Sequence, residues 1–244
     1  MSAPSPDIVR LLAPTGTLRA GINLSNFLLV TGKAANGDPQ GVSPDMAAAI
    51  AAKLGVPLEL VPYKTPGELA DQAGNNQWDI GLIGAEPQRA ETIAFTAAYC
   101  EIEATYLVPA GSPLQAIGDV DKPGVKIAVT GRSAYGLWMD RNVTKATLVR
   151  SDTLDSAFEQ FVAQKLDALA GLRPRLIQDV TKLPGAKILD GQFTAVQQAV
   201  GTPRKNAVAA SWLAAFVEEA KASGLVASLI AKHKAVGLSV APKA

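Results

Sequence analysis

Trp78-Asp79-Ile80-Gly81-Leu82-Ile83-Gly84-Ala85-Glu86-Pro87-Gln88-Arg89 reads as a buried strand that turns into a short helix with an arginine just inside its start. A short apolar run bounded by turn residues is the pattern of a core strand, and proline suits the first positions of a helix. An arginine offers a planar fork of donors matched to two carboxylate oxygens. The free N–H groups of a helix start favour an anion placed beside them. Arg89 is therefore the first candidate for a ligand-binding residue, with a small carboxylate as the group it would hold.

Working outward, the same strand-then-helix alternation recurs on both sides. Upstream, Thr17-Leu18-Arg19-Ala20-Gly21-Ile22 is a short strand that ends in the polar loop Asn23-Leu24-Ser25-Asn26. Ser43-Pro44 then opens an alanine-rich helix, with Ser43 expected as its N-cap and Pro44 in its first turn. That helix closes at Gly55, Pro57 to Val61 alternates as a second strand, and Thr65-Pro66-Gly67-Glu68 has capping-box spacing for a second helix. Three alternations of this kind predict a parallel sheet covered by helices. Downstream, the extended run Tyr99 to Val108 has no helix before the next loop and reads as a connector. Alternation then restarts with strand Val125 to Val129, a helix from Ser133, strand Ala146 to Val149, helix Ser151 to Gln164 and strand Asp167 to Ala170. A second extended run, Thr194 to Val200, precedes two closing helices near Asn206 to Ala222 and Gly224 to His233. The expected architecture is α/β, with residues 1–99 and 200–244 in one lobe, 104–195 in the other, and hinges at 99–104 and 195–200. Strand ends and helix starts would line a cleft between the lobes, where ligands favour α/β folds.

The chain of 244 residues is 48% hydrophobic, enough for two modest cores. With 23 basic and 22 acidic residues its net charge is +1, which offers no electrostatic footprint for nucleic acid or an anionic membrane. The apolar run Ala207 to Val217 stops at Glu218-Glu219, too short to span a bilayer, and is expected as a buried helix. One cysteine, Cys100, and one histidine, His233, allow neither an internal disulfide nor the usual metal-ligand cluster, and no cofactor is expected. Cys100 is expected as a small buried hydrophobe, and His233, between Lys232 and Lys234, as a cation at a helix end. The stretch Met1 to Asp7 has neither the basic head nor the apolar core of a secretion signal.

The order of these pieces resembles the polar amino-acid-binding family, family 3, of extracytoplasmic solute-binding proteins, the receptor subunits of ABC importers. The likeness rests on Gly16-Thr17-Leu18-Arg19, on Ala48 to Val56, on Trp78-Asp79-Ile80, on Pro87-Gln88-Arg89-Ala90 with Ile93 to Thr96 and Tyr99, on Leu166-Asp167-Ala168 and on Ala222-Ser223-Gly224. It implies a two-lobed, type II periplasmic-binding-protein-like fold that works as a monomer, binds a small-molecule ligand and docks to ABC permease subunits. It also implies that Arg89 binds the ligand α-carboxylate. The helper positions beside it fall at Leu82 and Gly84, so only backbone would contribute there. The second lobe of relatives offers Gly-Thr-Thr at a helix start, and this chain has Gly131-Arg132-Ser133, of which Ser133 can cap the helix and donate to a ligand. Asn23, Asn26 and Phe27 occupy the loop that lines the first-lobe wall in relatives, with Phe27 as the aromatic wall. Tyr135, near the start of the helix after Gly131, is expected to reach the cleft, and Trp138 to pack in the core.

The departures from the family concern negative charge. Relatives carry an aspartate for the ligand ammonium where this chain has Leu172, and a second acidic position is Asn23. An uncompensated ammonium in a closed cleft is costly, so the expected ligand is a small organic carboxylate, with Arg132 available to a second anionic group. Glu101 and Glu103, on one face of the first connector, and Glu86, before the arginine helix, are the acids left to replace the lost partner; Glu86 is explained as a helix-start residue. Arg173, directly after Leu172, is expected as a surface arginine at a helix start. The leading function is a receptor of an importer, in a periplasmic location, and not an enzyme. An enzyme resembling cyclohexadienyl dehydratase on the same fold needs a general acid, which Leu172 does not supply. A cytoplasmic ligand sensor is the further alternative, favoured if Met1 is the natural start.

Overall fold

The computed structural model describes residues 3–244, and the chain divides into two units, one formed by the chain up to Glu101 together with Gln197–Ala244, the other by Ile102–Val196. The first unit starts with α1 (Pro6–Leu12), β1 (Leu18–Asn23), the short hairpin β2 (Gly32–Lys33) and β3 (Pro39–Gln40), α2 (Val42–Leu54), β4 (Leu58–Tyr63), α3 (Pro66–Asp71), β5 (Ile80–Gly84) and α4 (Pro87–Ala90). The long strand β6 (Ile93–Val108) carries the chain into the second unit, which holds β7 (Lys126–Thr130), α5 (Ala134–Asn142), β8 (Thr147–Ser151), α6 (Leu154–Ala163), β9 (Ala168–Leu172), α7 (Arg173–Val180) and β10 (Lys187–Ile188). Strand β11 (Thr194–Pro203) returns to the first unit, which ends with α8 (Ala207–Ala222), α9 (Leu225–Lys232) and β12 (Leu238–Val240).

In the first unit the strands run β4-β1-β5-β11. β4, β1 and β5 are parallel, with Leu18 beside Leu58 and Ile22 beside Leu82, and β11 is antiparallel to β5, with Gln198 beside Gly84. In the second unit the order is β6-β9-β7-β8. β7 lies parallel to both β8 and β9, and β6 is antiparallel to β9, with Ala104 beside Leu172. Each unit therefore gathers the C-terminal ends of its parallel strands at one edge: Asn23, Tyr63 and Gly84 in the first, Thr130, Ser151 and Leu172 in the second.

Local chemistry explains the boundaries. Thr65 Oγ1 accepts from Glu68 N at 3.2 Å, and the Glu68 carboxylate accepts in return from Lys64 N at 3.0 Å, so α3 starts with the expected reciprocal cap, displaced by one residue. The start of α2 corrects the sequence expectation. Its N-cap is Gly41, not Ser43, and the Ser43 hydroxyl donates instead to Leu29 O at 3.2 Å. The reason is steric: a Cβ on Gly41, whose φ is 153°, would lie 2.2 Å from Leu29 O, so only glycine lets the two backbones pass. Trp78 is almost fully buried and donates from its indole nitrogen to Leu69 O at 3.0 Å, filling the core with Leu69, Ile83 and Ile93. Arg19 and Asp79 fix β1 to the chain entering β5 by a two-pronged bond, Nε to Oδ2 at 3.0 Å and Nη2 to Oδ1 at 2.7 Å.

The second unit packs Leu107, Ala128, Ala157, Phe161, Leu166, Leu169 and Leu176 into one cluster. Asp121 accepts from the N–H groups of Thr144, Lys145 and Ala146 at 2.8–3.1 Å and so ties down the chain entering β8. Burial of that carboxylate opposes ionisation, but these backbone donors outweigh it and hold its pKa below the usual range. Cys100 is fully buried and its thiol is pushed up, first by that burial. The run Ala207 to Val217 forms α8 as expected, but it buries one face only: Ala209, Leu213, Phe216 and Val217 are inside while Val208 is 73% exposed. Among the described residues no helix is long and apolar enough to cross a membrane.

Candidate functional site

The strand ending at Gly84 and the single turn of α4 place Arg89 where the edge of the first sheet meets a helix start. Pro87 fixes the first turn of that helix, and Arg89 N and Ala90 N both donate to Glu86 O at 2.9 Å. This directs the arginine back over the strand it followed. Its guanidinium is buried, with 4% of the residue exposed, and Nη1 donates to Gly84 O at 2.7 Å. Ala85 N is occupied by Gln197 O at 2.8 Å. Gln198, on the same strand β11, is buried beside Gly84. Expected from the sequence as a connector, β11 also supplies the neighbour of the arginine turn, and it is buried continuously from Gln198 to Pro203.

Asn23 ends β1, the strand next to β5. It is buried, and its Oδ1 accepts from Ser25 N at 3.1 Å and Ser25 Oγ at 2.8 Å. Asn26 Oδ1 accepts from Leu28 N at 3.2 Å, an Asx turn that shapes the loop. Both carbonyl oxygens are thus engaged locally, while Phe27 between them and Leu28 is half-buried. Arg89, Gly84 and Asn23 lie at the same sheet edge of the first unit. Glu101 closes that unit on β6, half-buried beside the fully buried Cys100 and Ile102.

In the second unit, Gly131, Arg132, Ser133 and Tyr135 form one turn between β7 and α5. Gly131 N donates to Ser151 O at 2.8 Å, which holds the turn against the end of β8. Ser133 is the N-cap, as expected: its Oγ accepts from Gly136 N at 3.0 Å and donates to Thr130 O at 2.7 Å. Arg132 is exposed and takes the left-handed conformation, φ 57°, so the turn points its side chain away from the sheet core. Tyr135 is buried in the same unit, and its hydroxyl has no hydrogen-bond partner among the described residues. Burial pushes its phenol pKa up. Trp138 is half-buried rather than in the core; it packs against Phe193 at a ring distance of 5.3 Å, and Phe193 in turn lies 4.6 Å from Tyr106.

Leu172, where the family resemblance implies an aspartate for a ligand ammonium, is buried and apolar at the end of β9. Arg173 opens α7 as expected, but it is half-buried, and its Nε donates to Glu103 Oε2 at 2.6 Å while Nη2 donates to Gly191 O. Glu103 is therefore already paired within the second unit. His233 stands at the end of α9, where Nε2 contacts Asp45 Oδ2 at 2.7 Å and Nδ1 contacts Thr31 Oγ1 at 3.3 Å. Among the described residues no cluster of three His, Cys, Asp or Glu side chains is suited to a metal.

Comparison with known proteins matches residues 23–235 to the family model described as bacterial extracellular solute-binding proteins, family 3. No curated protein sequence matches the chain. Among solved structures, the ancestral amino acid-binding protein AncCDT-1, described as a precursor of cyclohexadienyl dehydratase, is 23% identical with a TM-score of 0.71, covering 92% of this chain and 98% of its own. ArgBP from T. maritima, in a mutant form, is 21% identical with a TM-score of 0.72 and covers 93% and 99%. An amino acid ABC transporter substrate-binding protein from Streptococcus pneumoniae, bound to L-arginine, is 20% identical with a TM-score of 0.72 and covers 96% and 99%. These likenesses carry the fold, that of the two-lobed periplasmic binding proteins, and the family model covers most of the chain: it belongs to family 3 of the bacterial extracellular solute-binding proteins.

Proposed function

We propose that this chain is the receptor subunit of an ABC-type importer and captures a small carboxylate-bearing solute. The observation that carries this reading is the geometry of Arg89. A guanidinium that is buried and held by the Gly84 carbonyl at 2.7 Å is fixed in direction before a ligand arrives. Less ordering is then needed on binding, and charge-assisted hydrogen bonds in a shielded place are the strong ones. The capped start of α5, with Gly131, Arg132 and Ser133, supplies the second anion-favouring element in this reading. The extended segments 99–104 and 195–200 act as hinges, 1–99 with 200–244 as one lobe and 104–195 as the other, and capture works by closure. The protein acts outside the cytoplasm, as a monomer, and hands its solute to membrane permease subunits.

The ligand class follows from charge. Leu172 is apolar, Asn23 is neutral and Glu103 is paired with Arg173, which leaves Glu101 as the acid of the first connector whose carboxylate makes no hydrogen bond or ion pair among the described residues. A carboxylate without an α-ammonium fits this set better than a zwitterion, because a buried ammonium needs a compensating charge. Turnover is not part of the reading: dehydration needs a proton donor where Leu172 offers only methyl groups. Native mass spectrometry of the protein as purified, followed by calorimetric titration with a common L-amino acid and with its 2-oxo analogue, tests it. The oxo acid should bind at least as tightly. Tight binding of the amino acid with no affinity for the analogue would overturn the ligand class, and absence of any carboxylate binding would overturn the role of Arg89.

A further inference from the structure

The second unit carries an apolar depression of about 370 Å³ that the proposed receptor function does not use. It is lined by Phe161, Val162, Lys165 and Leu166, around the end of α6, and by Pro109 and Leu183 from two neighbouring loops. Phe161 and Leu166 are buried members of the second unit's core, and Leu183 packs against that cluster, so the depression opens directly onto core side chains. Val162 is 44% exposed, a large apolar side chain left at the rim. The volume falls within the roughly 300–1,000 Å³ of small-molecule sites.

The end of α6 adds a charge. Leu166 N donates to Phe161 O at 3.0 Å and Lys165 N to Val162 O at 3.2 Å, the paired bonds of a Schellman motif. The residue between them takes the left-handed conformation, and it is Lys165, φ 52°, where glycine would be unstrained. Lys165 is exposed, and its ammonium has no ion-pair or hydrogen-bond partner among the described residues. A strained position at the edge of an apolar depression thus presents an unpaired cation.

We propose that this depression binds a small amphipathic anion: an unbranched or aromatic apolar body on Phe161 and Leu166, and one carboxylate or sulfonate on Lys165. The depression lies at the end of the unit where β6 finishes and β9 begins, away from the Gly131–Ser133 turn at the C-terminal end of β7, so its occupant is independent of the solute held by Arg89.

Titration with decanoate, followed by methyl chemical shifts of Leu166 and Leu183, tests the assignment. Saturable 1:1 binding is expected with a Kd on the order of 0.1 mM, and decyltrimethylammonium should not bind. Lys165→Gly removes the cation and the strain together, so it should raise Tm while weakening decanoate about threefold to tenfold. Val162→Asp, at an exposed rim position, should weaken it about tenfold by like-charge repulsion. No saturable shift at either leucine, equal binding of the cationic detergent, or unchanged affinity in Lys165→Gly would each overturn the proposal.

Discussion

Arg173 Nε donates to Glu103 Oε2 at 2.6 Å, across 70 residues of sequence, and so neutralises the acid that stands one position from the pairing of Ala104 with Leu172. Arg173 is itself half-buried, and its second prong on Gly191 O gives it a fixed place. The end of β9, where the family resemblance implies an aspartate, therefore presents a leucine followed by an ion pair.

Restoring the acid should restore the amino-acid preference. Leu172→Asp is expected to raise the affinity for an L-amino acid relative to its 2-oxo analogue by about tenfold, as a nearby opposite charge does for a buried cation. The substitution buries a carboxylate, so the empty protein should lose about 1–3 kcal/mol of stability. Calorimetric titration and urea unfolding measure the two effects separately.

Arg89→Ala should weaken carboxylate binding by about 1.5–3 kcal/mol, the range for hydrogen bonds to charged groups. Arg89→Lys should recover only part of this, because an ammonium lacks the planar fork that Gly84 O orients. Equal titration isotherms for wild type and Arg89→Ala would remove the arginine from the site.

Tyr135→Phe deletes a buried hydroxyl that has no partner among the described residues. Removing an unsatisfied polar atom should leave stability unchanged or raise it by about 1 kcal/mol. A rise in Tm with a loss of ligand affinity would show that the hydroxyl is kept for the ligand, whereas a fall in Tm would contradict its unpaired state.

Acid should weaken the contact between α2 and α9 through Asp45. Burial opposes ionisation of this carboxyl, but hydrogen bonds from Lys232 and His233, with their charges, outweigh it and hold the pKa below the usual carboxylate range. A depressed folded pKa means that the contribution is fully present above the unfolded value and is lost as pH falls through the folded one. Urea unfolding from pH 6 down through about pH 3 should show this loss starting near pH 4, and Asp45→Asn should flatten that part of the profile.

Gly41→Ala should cost about 3 kcal/mol or more, since the new methyl would meet Leu29 O at 2.2 Å and backbone must move on both sides. Thermal unfolding checks it. A variant as stable as wild type would mean that α2 can start elsewhere, for instance at Ser43 as its sequence suggests.

The contrast at α2 shows where the sequence stops being informative. Ser43-Pro44 has the chemistry of a helix start, yet Gly41 caps the helix because the Leu29 backbone crosses there, and no local pattern reports that crossing. Thr65 and Ser133 could be read correctly because a cap bonds only a few residues away. The turn carrying Arg89 was legible for the same reason, whereas the neighbour that β11 brings to it was not.

What the sequence determined by itself was the order of strands and helices, the family and the candidate arginine, since apolar periodicity, prolines and capping residues act over a few positions. Tertiary structure alone decided which charges meet. Glu103 found Arg173, and Asp45 found His233 across 188 residues, through strand register and helix docking. A pairing of that kind depends on where whole elements pack; Asp45 and His233, largely withdrawn from water, need the partner the fold places beside them, whereas Glu103 stays exposed.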